Sequence, residues 1–141
     1  MGWPEDQVGA SVKRLTVAYR DDRIGFQICL VASERALRRH WLAIDGDRDM
    51  AVTAFTSCEF ENEWWWARAY FPRKACAALL AHEGTHVADF LWQSVYQRRE
   101  ARGVSGEEFR AYMVGTFCQS YHMWDRKSNV TWDGEGLWEG I

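Results

Sequence analysis

Two runs rich in β-branched and aromatic residues, 15–19 and 24–31, flank the polar tetrad Arg20-Asp21-Asp22-Arg23, and their pattern predicts a β-hairpin. Ser33 then precedes a mixed charged and apolar stretch over 34–42, which predicts a short helix with Ser33 as its N-cap. Residues 45–49 form a solvated turn; they lack the later ligand positions and the closing Glu of a calcium loop. Two further strands are predicted over 51–60 and 64–71, joined by the polar Glu61-Asn62-Glu63. Pro72 suits the first position of a helix, and the Ala/Leu-rich stretch after it runs without Pro, interrupted by Gly84 alone, until Gly103. Ser105 and Glu108 have capping-box spacing and open a second long helix over 107–125. The order of elements predicts an α+β domain with a small, mostly antiparallel sheet packed on these two helices.

Residues 1–12 read as a loose lead-in, and 126–141 as a tail rich in Gly and Trp without periodicity. A chain of 141 residues, 48% apolar, is expected to fold as one domain with a real core. The formal net charge is −3, and basic residues are dispersed apart from Arg35, Arg38, Arg39 and Arg98, Arg99, Arg102, so no nucleic-acid partner is expected. No apolar run reaches membrane-spanning length, and Met1 to Asp6 lacks the basic and apolar regions of a signal peptide. A cytoplasmic protein without a membrane partner is the expectation. Cys29, Cys58, Cys76 and Cys118 form no CxxC pair and are expected to be small buried apolar residues. Nine tryptophans are present, three of them consecutive at 64–66. Such a run exceeds what one face of a strand buries, so it packs across both sides of a sheet or lines a groove.

The chemistry is concentrated in His82-Glu83-Gly84-Thr85-His86. On a helix, His82 and His86 project from one face a turn apart, close enough for both imidazoles to reach one ion. Glu83 lies beside the first of them and can serve as a general base without being a ligand, the division of labour of HExxH zinc hydrolases. One Zn2+ per chain is the expected cofactor. A catalytic zinc site usually takes three protein ligands and keeps one open position. Ligands at i, i+4 and i+7 of a straight helix span about 10 Å, which makes Asp89 a supporting residue or a surface charge. The metzincin continuation is absent, with Asp89 where its Gly would stand and Trp92 where its ligand would stand. The third ligand must come from another helix, and Glu107 and Glu108 at the start of the second are the candidates.

With those residues, the chain resembles the gluzincins, especially the small ImmA/IrrE-type and phage-encoded HExxH proteins. The resemblance covers roughly residues 64–120 and rests on the HExxH segment and on Glu108-Phe109-Arg110-Ala111-Tyr112. It implies Glu108 as the third ligand and Ala111 as the small residue that lets two helices approach; Tyr112 departs from the acidic residue found in thermolysin-like enzymes. It further implies a metallopeptidase acting on a protein or peptide. The strand before the motif helix resembles the zincin edge strand, with Trp64, Trp66, Arg68 and Tyr70 lining a substrate groove. Tyr112, Tyr121 and His122 are candidate oxyanion stabilisers among which spacing does not choose, and His40 and His122 also fit as ordinary helix histidines. Two rival classes remain: a zincin-fold binding module capturing a partner with the Trp-rich strand, and a structural-metal protein with four closed ligands.

Overall fold

The computed structural model describes residues 12–44, 53–101 and 103–137. The chain runs β1 (Val12–Tyr19), β2 (Ile24–Val31), α1 (Glu34–Ile44), β3 (Phe55–Glu61), β4 (Trp64–Pro72), α2 (Ala77–Ala101), α3 (Gly106–Met123) and β5 (Val130–Asp133), followed by a 3-10 turn, Gly134–Leu137. The expected turn at 45–49, the start of the strand expected at 51–60 and the ends of the chain lie outside the described residues. Among the described residues no helix is long and apolar enough to cross a membrane.

The architecture is α+β, with a five-stranded sheet in the order β3-β4-β2-β1-β5. The hairpin β1–β2 forms as its pattern predicts, and β3–β4 is antiparallel too. Asn62 and Glu63 both adopt left-handed φ, 52° and 66°, as a two-residue type I′ turn requires. The sheet is nevertheless mixed rather than mostly antiparallel, because β2 pairs with β4 and β1 with β5 in parallel. β5 falls in the stretch read as an aperiodic tail. It is four residues long with half-buried Val130 and Trp132 alternating with exposed neighbours, too short for its pattern to stand out from the sequence around it.

Helices α2 and α3 cover one face of the sheet, burying Leu15, Val17, Phe26, Ile28 and Phe71 against Leu80, Val87, Leu91, Phe109 and Phe117. Ala67 and Ala69, both fully buried on β4, present a low surface on which α2 can lie close. On the other face α1 packs Ala36 and Leu37 against Cys29, Val31, Phe55 and Tyr70. Of the four cysteines Cys29 alone is buried; Cys58 and Cys76 are exposed and Cys118 half-buried: Cys58 lies on the edge strand β3 and Cys76 in the connection before α2.

Helix α2 begins at Ala77, not at Pro72. Pro72 ends β4 opposite Val31, where the strand continues far enough for the Arg73 N–H to donate to the Val31 carbonyl at 2.8 Å. At the far end α2 stops in a Schellman arrangement: Gly103 takes φ 83°, its N–H donates to Glu100 and that of Val104 to Arg99, both at 3.0 Å. The chain then reverses within a few residues, and the Ser105 hydroxyl accepts from the Glu108 N–H at 3.1 Å to start α3. The short turn makes α2 and α3 an antiparallel hairpin of helices.

Candidate metal centre

His82, Glu83 and His86 lie on the second and third turns of α2, with their ligand atoms within 4.8 Å of one another. The two Nε2 atoms stand 3.2 Å apart, and the rings are nearly perpendicular at 80°. Two imidazole nitrogens bound at 2.0–2.1 Å to one tetrahedral ion would be separated by about 3.3 Å, so the pair already has the spacing that a zinc ion requires. Both histidines are exposed at the mouth of a hollow of about 540 Å³, whose walls include Thr56 and Cys58 of β3 and Asp89 and Phe90 of α2.

Glu83 is the buried member, only 3% exposed. One full turn contains 3.6 residues, so Glu83 sits 100° from His82, which turns it from the mouth of the hollow toward the sheet. There the Thr56 hydroxyl donates to Oε1 at 2.8 Å, while Oε2 lies 3.8 Å from His82 Nε2. A carboxylate this far from water needs compensating charge or donors. A cation held by the two imidazoles would supply that charge at the position where Oε2 points. Sequence reasoning did not find Thr56, since its nearness to Glu83 depends on which strand lies beside α2.

The structure does not bring Glu108 to this group. Helix pairing is set by Gly84 against Phe117, and by Asp89, whose Oδ1 accepts from Arg110 Nε at 2.7 Å. The start of α3 therefore lies level with Trp92, beyond both histidines; a Cβ on Gly106 would stand 2.9 Å from that indole. Glu108 precedes Arg110 by two residues, or 200° around the helix, and projects exposed on the side away from α2. Glu107 is also exposed in the same first turn. In the antiparallel register that a tight connection imposes, the middle of α3, around Phe117, lies level with the histidines, and the start of α3 does not. Ala111, expected where the helices approach, is likewise exposed. The close approach is made by Gly84.

The other supporting residues separate. Asp89 borders the hollow, engaged by Arg110. Tyr112 faces the opposite side of α3, lining a second hollow with Gly115, Met123 and Trp132. Tyr121 is buried and accepts from the Ala75 N–H at 3.1 Å, and His122 is exposed near the end of α3. His40, on the sheet-facing side of α1, is fully buried and stacked on Tyr70 with ring centroids 5.6 Å apart.

β4 is an interior strand, flanked by β3 and β2, and the edge beside the histidines belongs to β3. Alternation along β4 places Trp64, Trp66, Arg68 and Tyr70 on the face away from α2. Trp64 and Trp66 stack at 5.3 Å, and Trp66 lies so close to Gly25 that a Cβ there would fall 2.3 Å from its ring. Arg68 is 2% exposed, its Nε donating to Gln27 at 2.8 Å, and Tyr70 is fully buried. None of the four borders the hollow. Trp65 is the member of the triplet that faces α2, in edge contact with Phe90 at 5.7 Å.

No protein-family model, curated protein or solved structure matches this chain.

Proposed function

We propose that the protein is a zinc-dependent hydrolase of the zincin type, most simply a metallopeptidase, with His82 and His86 holding the ion and Glu83 acting as general base. The observation that carries this reading is the pairing of two exposed imidazoles at metal-ligand spacing with a buried carboxylate that lies within 4.8 Å of both. When bound, zinc supplies Lewis acidity, bringing the pKa of a ligated water toward about 7 and polarising a carbonyl. Glu83 takes a proton through Oε2 as water adds to the amide carbon, and returns it to the nitrogen as the C–N bond breaks. Thr56 holds Oε1, so that the carboxylate keeps one orientation throughout. The outer edge of β3 offers backbone groups to an extended peptide laid in the hollow.

The rival readings have less support. Trp64 and Trp66, the motive for a binding module, serve the far face of the sheet, and a closed structural site would need four ligands, where the described residues gather two histidines and Glu83, the carboxylate that the hydrolase reading keeps as base; a third protein ligand is not among them. Glu83→Gln separates enzyme from binder. The variant should retain fold and zinc while losing hydrolysis of a mixed peptide library by 100-fold or more, with new N-termini read by mass spectrometry. Equal cleavage by both proteins would remove the activity from this site; no cleavage by either would return the binding module to first place.

A further inference from the structure

The hollow does not end at the histidines. β3 runs alongside α2 in the same direction, with Thr56 at Glu83 and Cys58 further along the wall. Two residues on, Phe60 occupies the same face and is 57% exposed. Its ring lies 4.6 Å from that of Trp65, which is 37% exposed and in turn meets Phe90, a residue of the hollow itself. The three rings form one continuous aromatic shelf. Large exposed rings grouped in this way on a soluble domain mark a binding surface. Charge is kept off the shelf: Glu59 and Glu61 flank Phe60 in sequence but pair across to Trp66 and Trp64 on the opposite face.

Resting on the hydrolase reading, we infer that Phe60, Trp65 and Phe90 form a specificity subsite that takes an apolar, preferentially aromatic, side chain of the peptide substrate. Its distance along the wall from Thr56 and Glu83, beside which the cleaved bond would lie, defines which side chain. From Thr56 to Phe60 is four residues of strand, about 13 Å. From Glu83 to Phe90 is seven residues of helix, about 10 Å. An extended peptide advances about 3.3 Å per residue, so the shelf receives the third or fourth side chain from the cleaved bond, on one side of it only.

The test is cleavage of a mixed peptide library, with residue frequencies tabulated at each position around the new termini. The wild-type protein should favour Phe, Tyr, Trp or Leu at the third or fourth position on one side by about tenfold, the discrimination expected for an apolar pocket. Phe60→Ser should lower that preference, and Phe60→Lys should shift it toward Asp and Glu; Phe60 is exposed enough for both to fold. Cleavage without preference at those positions, or an unchanged preference in both variants, overturns the subsite while leaving the hydrolase reading in place. Absence of wild-type cleavage overturns both together.

Discussion

Thr56→Val tests how the carboxylate of Glu83 is held. Valine keeps the branched shape and strand preference of threonine but removes the hydroxyl that, alone among the described residues, donates to Glu83 Oε1, at 2.8 Å. Glu83 is 3% exposed, so water does not readily replace that donor. A hydrogen bond to a charged group contributes about 1.5–3 kcal/mol, and leaving a buried acceptor unsatisfied costs a similar amount. At about 3 °C per kcal/mol for a chain of this size, the melting temperature should fall by about 5–9 °C. Thr56→Ser retains the donor and loses one methyl group, so its cost should stay below about 1 kcal/mol. In a Glu83→Gln background the same bond joins two neutral groups, and Thr56→Val should cost about 1 kcal/mol or less. The assay is thermal and urea unfolding of the four proteins of the cycle, together with peptide hydrolysis, which Thr56→Val should depress and Thr56→Ser preserve. An equal cost of Thr56→Val in both backgrounds would refute the argument that Thr56 acts through the Glu83 charge.

Metal analysis should find about one zinc per chain; His86→Ala should release it, whereas Glu108→Ala should not, since Glu108 points away from α2. Release by Glu108→Ala would show that α3 pairs with α2 in another register. Burial and the neighbouring Arg14 hold the His40 imidazole below its usual 6.5. The folded state therefore binds that proton less readily than the unfolded chain, so stability should fall as pH drops below about 6.5, by at most about 1.4 kcal/mol per pH unit. Unfolding of His40→Phe measured between about pH 7.5 and about pH 5 should lack that component of the slope, and an unchanged slope would place the titration elsewhere. A Cβ at Gly84 would meet Phe117 at 3.0 Å, and that ring is confined by Phe26 and Phe71. Gly84→Val should destabilise by about 1–3 kcal/mol, while in Gly84→Ala a helix-propensity gain of about 1 kcal/mol offsets the contact; equal unfolding midpoints for Val and Ala would contradict this packing.

What could be read from the sequence is what short-range geometry decides. The pairing of His82 with His86 depends on nothing beyond one helical turn, and the caps at Ser33 and Ser105 involve N–H groups three residues away, Ala36 and Glu108. The β1–β2 hairpin and the two-residue turn at Asn62-Glu63 are equally local. Strand order is not. Whether β4 lies at the edge or inside depends on β2 accepting it in parallel and β3 taking the outer place, a choice made by burial of both sheet faces at once. Alternation along a strand has a period of two, so the same nine residues could turn either set of side chains toward α2, and tertiary packing chose Trp65, Ala67, Ala69 and Phe71. The partner of Glu83 followed from that choice, since it brought β3 and Thr56 alongside the helix. Glu108 was displaced from the histidines for a related reason: a tight turn after Gly103 pairs the start of α3 with the end of α2, and side chains on two packed helices meet by axial level and face, neither of which sequence separation encodes.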